Sequence, residues 1–117
     1  QAEDIKNKFL SFLNKTKNNG HSVVGYGAAA KGSTLLNFSG VRSDLLPYVV
    51  DKSDAKQDKF MPGSRVPIMS ETLLKKDKPD YIVIFPWNIQ DEIIEQLAYI
   101  REWGGKFVIF IPSMRVI

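Results

Sequence analysis

The chain is 117 residues long, 44% apolar and 25% charged, with 16 basic residues against 13 acidic ones for a formal net charge of +3. It contains no cysteine, which excludes disulfides, thiolate catalysis and cysteine-based zinc sites. Its charges are scattered, which favours small anionic ligands over duplex nucleic acid, and no apolar run approaches the roughly 20 residues of a membrane span.

In chain order, Ile5, Phe9, Phe12 and Leu13 recur at helical spacing among lysines and acids, so residues 2–18 are predicted as an amphipathic helix ended by Asn18-Asn19-Gly20. Ser22–Tyr26 reads as a strand and Ala28–Phe38 as a helix stopped near Gly40. Tyr48–Asp51 is a second short strand with an acid at its end. Residues 52–65 read as a polar surface loop with a turn at Pro62-Gly63, and Val66-Pro67-Ile68 as a brief edge strand, because its proline cannot donate to a ladder. A helix from Ser70-Glu71 to Lys76, a strand over Asp80–Phe85, a helix over Ile89–Trp103 with Ile89, Ile93, Leu97 and Ile100 on one face, and a strand over Lys106–Ile111 complete the chain.

Strands alternating with helices imply an α/β domain, a Rossmann-like three-layer α/β/α arrangement around a mainly parallel sheet. Ligands of such folds sit beyond the carboxyl ends of the strands, where the strand order reverses. Three stretches fall there: Gly25 to Ser33, Asp51 onward, and Pro86-Trp87-Asn88.

Gly25-x-Gly27-x-x-Ala30 matches a loose dinucleotide-binding pattern between a strand and a helix. Small residues there let backbone amides approach an anion, the helix N-terminus adds partial positive charge, and Lys31 adds a full one. Asp51 follows Ala30 by 21 positions, where an acid accepts hydrogen bonds from ribose hydroxyls. The same glycines also suit any tight strand-to-helix turn. A triphosphate-hydrolysing P-loop is disfavoured, because it places Gly before Lys and Ser/Thr directly after it, whereas the order here is Lys31-Gly32-Ser33. Trp87 offers either a stacking surface or plain packing, and Asn88 either a ligand contact or the N-cap of the next helix. His21 stands without a partner at motif spacing, and no metal cluster, nucleophile triad or paired carboxylate emerges.

A family resemblance rests on longer motifs. Gly25-Tyr-Gly-Ala-Ala-Ala-Lys-Gly-Ser-Thr-Leu-Leu-Asn37, Tyr48-Val-Val-Asp51, Lys56-Gln57, Pro62-Gly63, Val66-Pro-Ile68, Pro79-Asp-Tyr81, Pro86-Trp-Asn88 and Arg101-Glu-Trp-Gly-Gly-Lys106 resemble the C-terminal domain of S-adenosylmethionine-dependent sugar C-methyltransferases. The resemblance covers nearly the whole chain, from Gln1 to Pro112.

It implies that residues 1–117 are one domain from the C-terminal end of a larger enzyme, a reading that Gln1 in place of an initiator Met also fits, and the absence of cysteine points to a cytoplasmic location for it. That enzyme removes a proton next to the ketone of a nucleoside diphosphate keto-sugar and methylates the resulting enolate carbon. S-adenosylmethionine is expected in a methyl-donor domain outside this chain, which becomes the partner of this one. No catalytic residue and no metal is expected here, and the fragment alone is expected to be inactive. The substrate-binding set is Gly25, Tyr26, Gly27, Ala28, Lys31, Gly32, Ser33, Asp51, Lys56, Pro86, Trp87 and Asn88. Two other readings stand beside it: a NAD-binding redox or sensor domain in which Asp51 grips ribose, and a ligand-free structural or interaction module.

Overall fold

Apolar residues on both faces of the five central strands dictate the layers of the computed structural model, which describes residues 2–117. The strands are β1 (Val23–Tyr26), β2 (Val49–Val50), β3 (Lys59–Phe60), β4 (Pro67–Met69), β5 (Tyr81–Ile84), β6 (Lys106–Ile109) and β7 (Arg115–Val116). The helices are α1 (Ala2–Asn18), α2 (Ala30–Ser39), α3 (Thr72–Asp77) and α4 (Gln90–Gln96). On one sheet face Val23, Val49, Ile68, Val83 and Val108 meet Phe9, Phe12 and Leu13 of α1 and Leu36 of α2. On the other, Val24, Tyr26, Ile82, Ile84, Phe107 and Ile109 meet Leu74 of α3, Ile93 of α4, and Leu97 and Ile100 just beyond it. Burial on both faces is why these strands read as nearly continuous apolar runs. Phe9 alone, fully buried, contributes about 2–3 kcal/mol of hydrophobic stabilisation.

The sheet order is β3-β4-β2-β1-β5-β6-β7. Pairs β4–β2, β2–β1, β1–β5 and β5–β6 are parallel, and only the outermost pairs, β3–β4 and β6–β7, are antiparallel. This is the Rossmann-like three-layer arrangement expected. The chain leaves β1 toward β2 on one side and leaves β5 toward β6 on the other, so the switch point lies between β1 and β5.

Four expectations are corrected. The polar segment 52–65 holds β3, which covers the outer side of β4, so Val66-Pro67-Ile68 does not form an edge. Pro67 is tolerated because it is the first residue of its strand, where the ladder begins. The long helix over Ile89–Trp103 is divided into a 3-10 turn at Trp87–Ile89, α4, and a second 3-10 segment at Ala98–Trp103. Ile89 falls before the first α-turn and is 41% exposed, whereas Ile93, Leu97 and Ile100 are buried. β7 had no sequence signal, being two exposed residues that gain their pairing from β6. No helix among the described residues is long and apolar enough to cross a membrane.

Candidate functional site

Three segments converge at the switch point. After β1, Gly27 turns the chain at φ 103°, where a side chain is strained, and its N–H donates to Val50 O at 2.9 Å. Ala28 N–H donates to Asp51 Oδ2 at 2.8 Å, and Ala29 is extended, so α2 begins at Ala30, two residues later than its sequence indicates. After β5, Phe85 N–H donates to Tyr26 O at 3.1 Å, and Phe85-Pro86 comes up against the turn. A Cβ on Gly27 would lie 2.5 Å from Pro86 Cδ, and one on Gly25 2.6 Å from Phe85 Cε2. Gly32 is equally confined, since its Cβ would stand 3.0 Å from both Gly27 O and the Phe85 ring. The close helix-to-strand contact that the glycine pattern assigned to Ala30 is therefore made by Gly32, and Ala30 is exposed.

This packing opens a cleft of about 240 Å³ lined by Gly27, Ala29, Ala30, Lys31, Gly32, Phe85 and Pro86. The N–H groups of Ala30, Lys31 and Gly32 have no acceptor among the described residues, and Ala29 supplies no side-chain cap. The first turn of a ten-residue helix is thus left with free donors and the positive end of its dipole. A cleft this size suits a phosphate group; the rest of a larger ligand would extend beyond it.

Lys31 brings the segments after β1 and β5 together. Its Nζ donates to Asn88 Oδ1 and stands 4.6 Å from the centroid of the Trp87 ring. Asn88 is consequently not a helix cap: neither the 3-10 turn nor α4 has a side-chain cap bond. A cation in the first turn opposes the helix dipole by about 0.3–1 kcal/mol, and the amide oxygen and indole face offset that without neutralising the charge.

Asp51 closes the other side. Its Oδ1 accepts Ser53 N–H at 2.9 Å, its Oδ2 holds Ala28, and its own carbonyl accepts Gln57 Nε2 at 2.9 Å. The carboxylate therefore ties the glycine turn to the loop after β2. Lys56 lies on that loop with an exposed side chain; only its backbone N–H is engaged, donating to Ser53 O. Ser33 sits one helical turn below Asn37, whose Nδ2 reaches Ser33 Oγ at 3.4 Å and Pro62 O at 3.1 Å.

The Tyr26 side chain lies on the other sheet face. Strand alternation turns it away from Gly25 and into the α3/α4 layer, where its Oη accepts Gln96 Nε2 at 3.0 Å. Gln96 also donates to Glu71 Oε1, and Tyr99 Oη donates to Glu71 Oε2 at 2.9 Å. Burial, with the Glu71 and Asp51 charges adding to it and the Gln96 bond opposing it, holds the Tyr26 hydroxyl above its ordinary pKa. Of the expected set, Gly27, Lys31, Gly32 and Pro86 line the cleft and Ala28, Asp51, Trp87 and Asn88 adjoin them through their contacts, whereas Gly25 is buried against Phe85 and Val49, Ser33 and Lys56 lie outside the lining, and the Tyr26 side chain is on the other sheet face. Sequence reasoning missed Phe85 as the cleft floor, because its approach to Gly25 and Gly32 exists only once β1 and β5 are paired. No group of three or more His, Asp or Glu residues that could hold a metal ion occurs among the described residues.

The fold and this crevice define a Rossmann-like domain with an uncapped helix N-terminus opening on a cleft at its switch point. The chain belongs to the family of C-methyltransferase C-terminal domains, whose sequence profile matches residues 1–112. It is 41% identical over 98 residues to the C-methyltransferase NovU of Streptomyces niveus, an alignment that covers 84% of this chain and 23% of that protein. The chain spans about a quarter of the length of this curated relative.

Proposed function

We propose that residues 1–117 form one domain of a larger C-methyltransferase and hold its substrate, a nucleoside diphosphate keto-sugar. The observation that carries this reading is the open first turn of α2, with three unpartnered N–H groups and Lys31 beside them at the switch point. In this reading the amides of Ala30, Lys31 and Gly32 take phosphate oxygens and Lys31 supplies the neutralising charge, which offsets its unfavourable place in the helix. Trp87 and Asn88 lie next to that charge and, in this reading, meet the sugar or base. Gly27 and Gly32 keep the backbone close enough for the amides to reach.

The cleft does not fit the methyl donor. The cleft lining has no acidic side chain, and the first turn of α2 and Lys31 polarise it positively, which disfavours a sulfonium cation there. S-adenosylmethionine therefore belongs to the rest of the enzyme, and the 117-residue chain alone transfers no methyl group. What this domain contributes is position: a substrate anchored by its phosphates presents its sugar in one orientation, which is worth several kcal/mol of barrier. The NAD-binding alternative relies on Asp51, whose two oxygens instead brace the turn.

The test is steady-state kinetics of the full-length enzyme. Loss of one charge-assisted contact at an exposed site is worth about 1.5 kcal/mol, so Lys31→Ala raises KM for the nucleotide sugar about tenfold while kcat stays within about twofold. An unchanged KM would remove Lys31 from the phosphate site.

A further inference from the structure

Helices α1 and α2 lie side by side on one sheet face, and both carry apolar residues beyond those that fill the core. Ala2 and Ile5 of α1, Ala30, Thr34 and Phe38 of α2, and Ile111 after β6 line an open groove of about 440 Å³. Phe38 is 46% exposed, with the Lys6 ammonium 5.4 Å from its ring centroid. Lys31 lines both this groove and the cleft beneath Gly27, so the groove runs directly into the candidate phosphate site. A solvated apolar strip bordering a charged site marks an interaction surface.

Three observations select its occupant. The first turn of α1, at the amino end of the described residues, forms part of the groove wall. The family is that of a C-terminal domain, and about three quarters of NovU lies outside the aligned stretch. Methyl transfer also needs reacting atoms about 3–3.5 Å apart with water excluded, whereas the cleft beside Lys31 is open to solvent. We propose that the groove is the docking face for the amino-proximal, donor-holding part of the same polypeptide, with Phe38 as its anchor and Lys31 at the seam. This rests on the substrate-domain reading above. A small ligand is a poorer match, because only Thr34 and Lys31 offer polar groups to orient one. Lys6 and Lys31 on the rim call for acidic residues bordering an apolar ridge on the docked surface.

The experiment uses the full-length methyltransferase with Phe38→Glu and, as a control, Val116→Glu, which alters a residue 48% exposed on β7 and outside the groove. Each protein is followed by the rate of tryptic release of the C-terminal domain, by small-angle scattering, by sedimentation and by thymidine diphosphate affinity. Loss of a central aromatic anchor releases the domain about tenfold faster and expands the particle, while Val116→Glu matches the parent. Phe38→Ser, which adds no charge, is expected to give a smaller change in the same direction and serves if the glutamate variant does not fold. Equal release rates for Phe38→Glu, Val116→Glu and the parent would overturn the docking proposal. Dissociation of an oligomer by Phe38→Glu with unchanged release would assign the groove to a second copy and overturn it too. Absence of thymidine diphosphate binding in all proteins, parent included, would instead count against the substrate-domain reading and leave the release comparison intact.

Discussion

Replacing Gly27 with alanine separates two demands that the turn places on one residue. Gly27 and Gly40 both sit at positive φ, 103° and 69°, so each alanine substitution incurs a backbone penalty of about 1–2 kcal/mol. They differ in space: nothing lies within 4 Å of a Cβ on Gly40, but one on Gly27 would stand 2.5 Å from Pro86 Cδ and 2.9 Å from Pro86 Cγ. A proline ring cannot rotate away, so the strand-to-helix turn or the segment after β5 must shift, at an overpacking cost of about 1–3 kcal/mol. Gly27→Ala should therefore be less stable than Gly40→Ala by about 2 kcal/mol, and for a chain of this length each kcal/mol lowers Tm by roughly 4 °C. Thermal melts followed by circular dichroism should place Gly27→Ala roughly 8 °C below Gly40→Ala. Equal melting temperatures would mean that the turn does not press against Pro86, and the geometry of the cleft proposed to hold phosphate would fall with that contact.

Other outcomes follow from neighbouring residues. Phe85→Ala removes the ring that Gly25 and Gly32 enclose and should destabilise the fold by about 3–5 kcal/mol in urea titrations; a loss below about 1 kcal/mol would deny its place as the cleft floor. Asp51→Asn keeps one acceptor but cannot hold both Ala28 and Ser53 N–H, and should cost about 1–2 kcal/mol by the same measurement, with chemical-shift changes confined to the turn and the loop after β2. Tyr48 is raised above the ordinary tyrosine pKa by burial and by donating to Asp77 Oδ2, and Tyr99 by burial and by Glu71. Because the folded state holds these protons more tightly than the unfolded one, their contribution is complete below about pH 10 and is lost as pH rises beyond it. Urea midpoints should then fall above about pH 10, and Tyr48→Phe should lower stability by about 1 kcal/mol at neutral pH while flattening that alkaline decline; a decline of unchanged slope would exclude Tyr48 from it.

Much of this was legible because the signals were local. The 3.6-residue spacing of Ile5, Phe9, Phe12 and Leu13 gave α1, and apolar runs flanked by turns gave β1, β5 and β6. The two-residue strands β3 and β7 were not legible, since neither carries periodicity and each exists only through its partner. Ile89 kept the helical spacing but lost its burial when the chain tightened into a 3-10 turn. At the site, the glycine turn and Asp51 followed from strand ends, but the Lys31–Asn88 contact spans 57 positions and depends on β1 and β5 being neighbours. The Tyr26 side chain, expected in the substrate-binding set, lies in the α3/α4 layer. Alternation along β1 already turns it opposite to Gly25, which strand periodicity alone could have said.

In the proposed role, the free amides at the start of α2 receive the phosphates of a nucleotide sugar. It is tested most directly by amide NMR titration of the chain with thymidine diphosphate, uridine diphosphate and NAD at matched ionic strength. Saturable shifts at Gly27 and Ala30 to Ser33 and around Asp51 with a nucleoside diphosphate, weakened in Lys31→Ala and absent with NAD, are the expected result. Shifts with NAD alone, or saturable shifts that leave the first turn of α2 untouched, would contradict it.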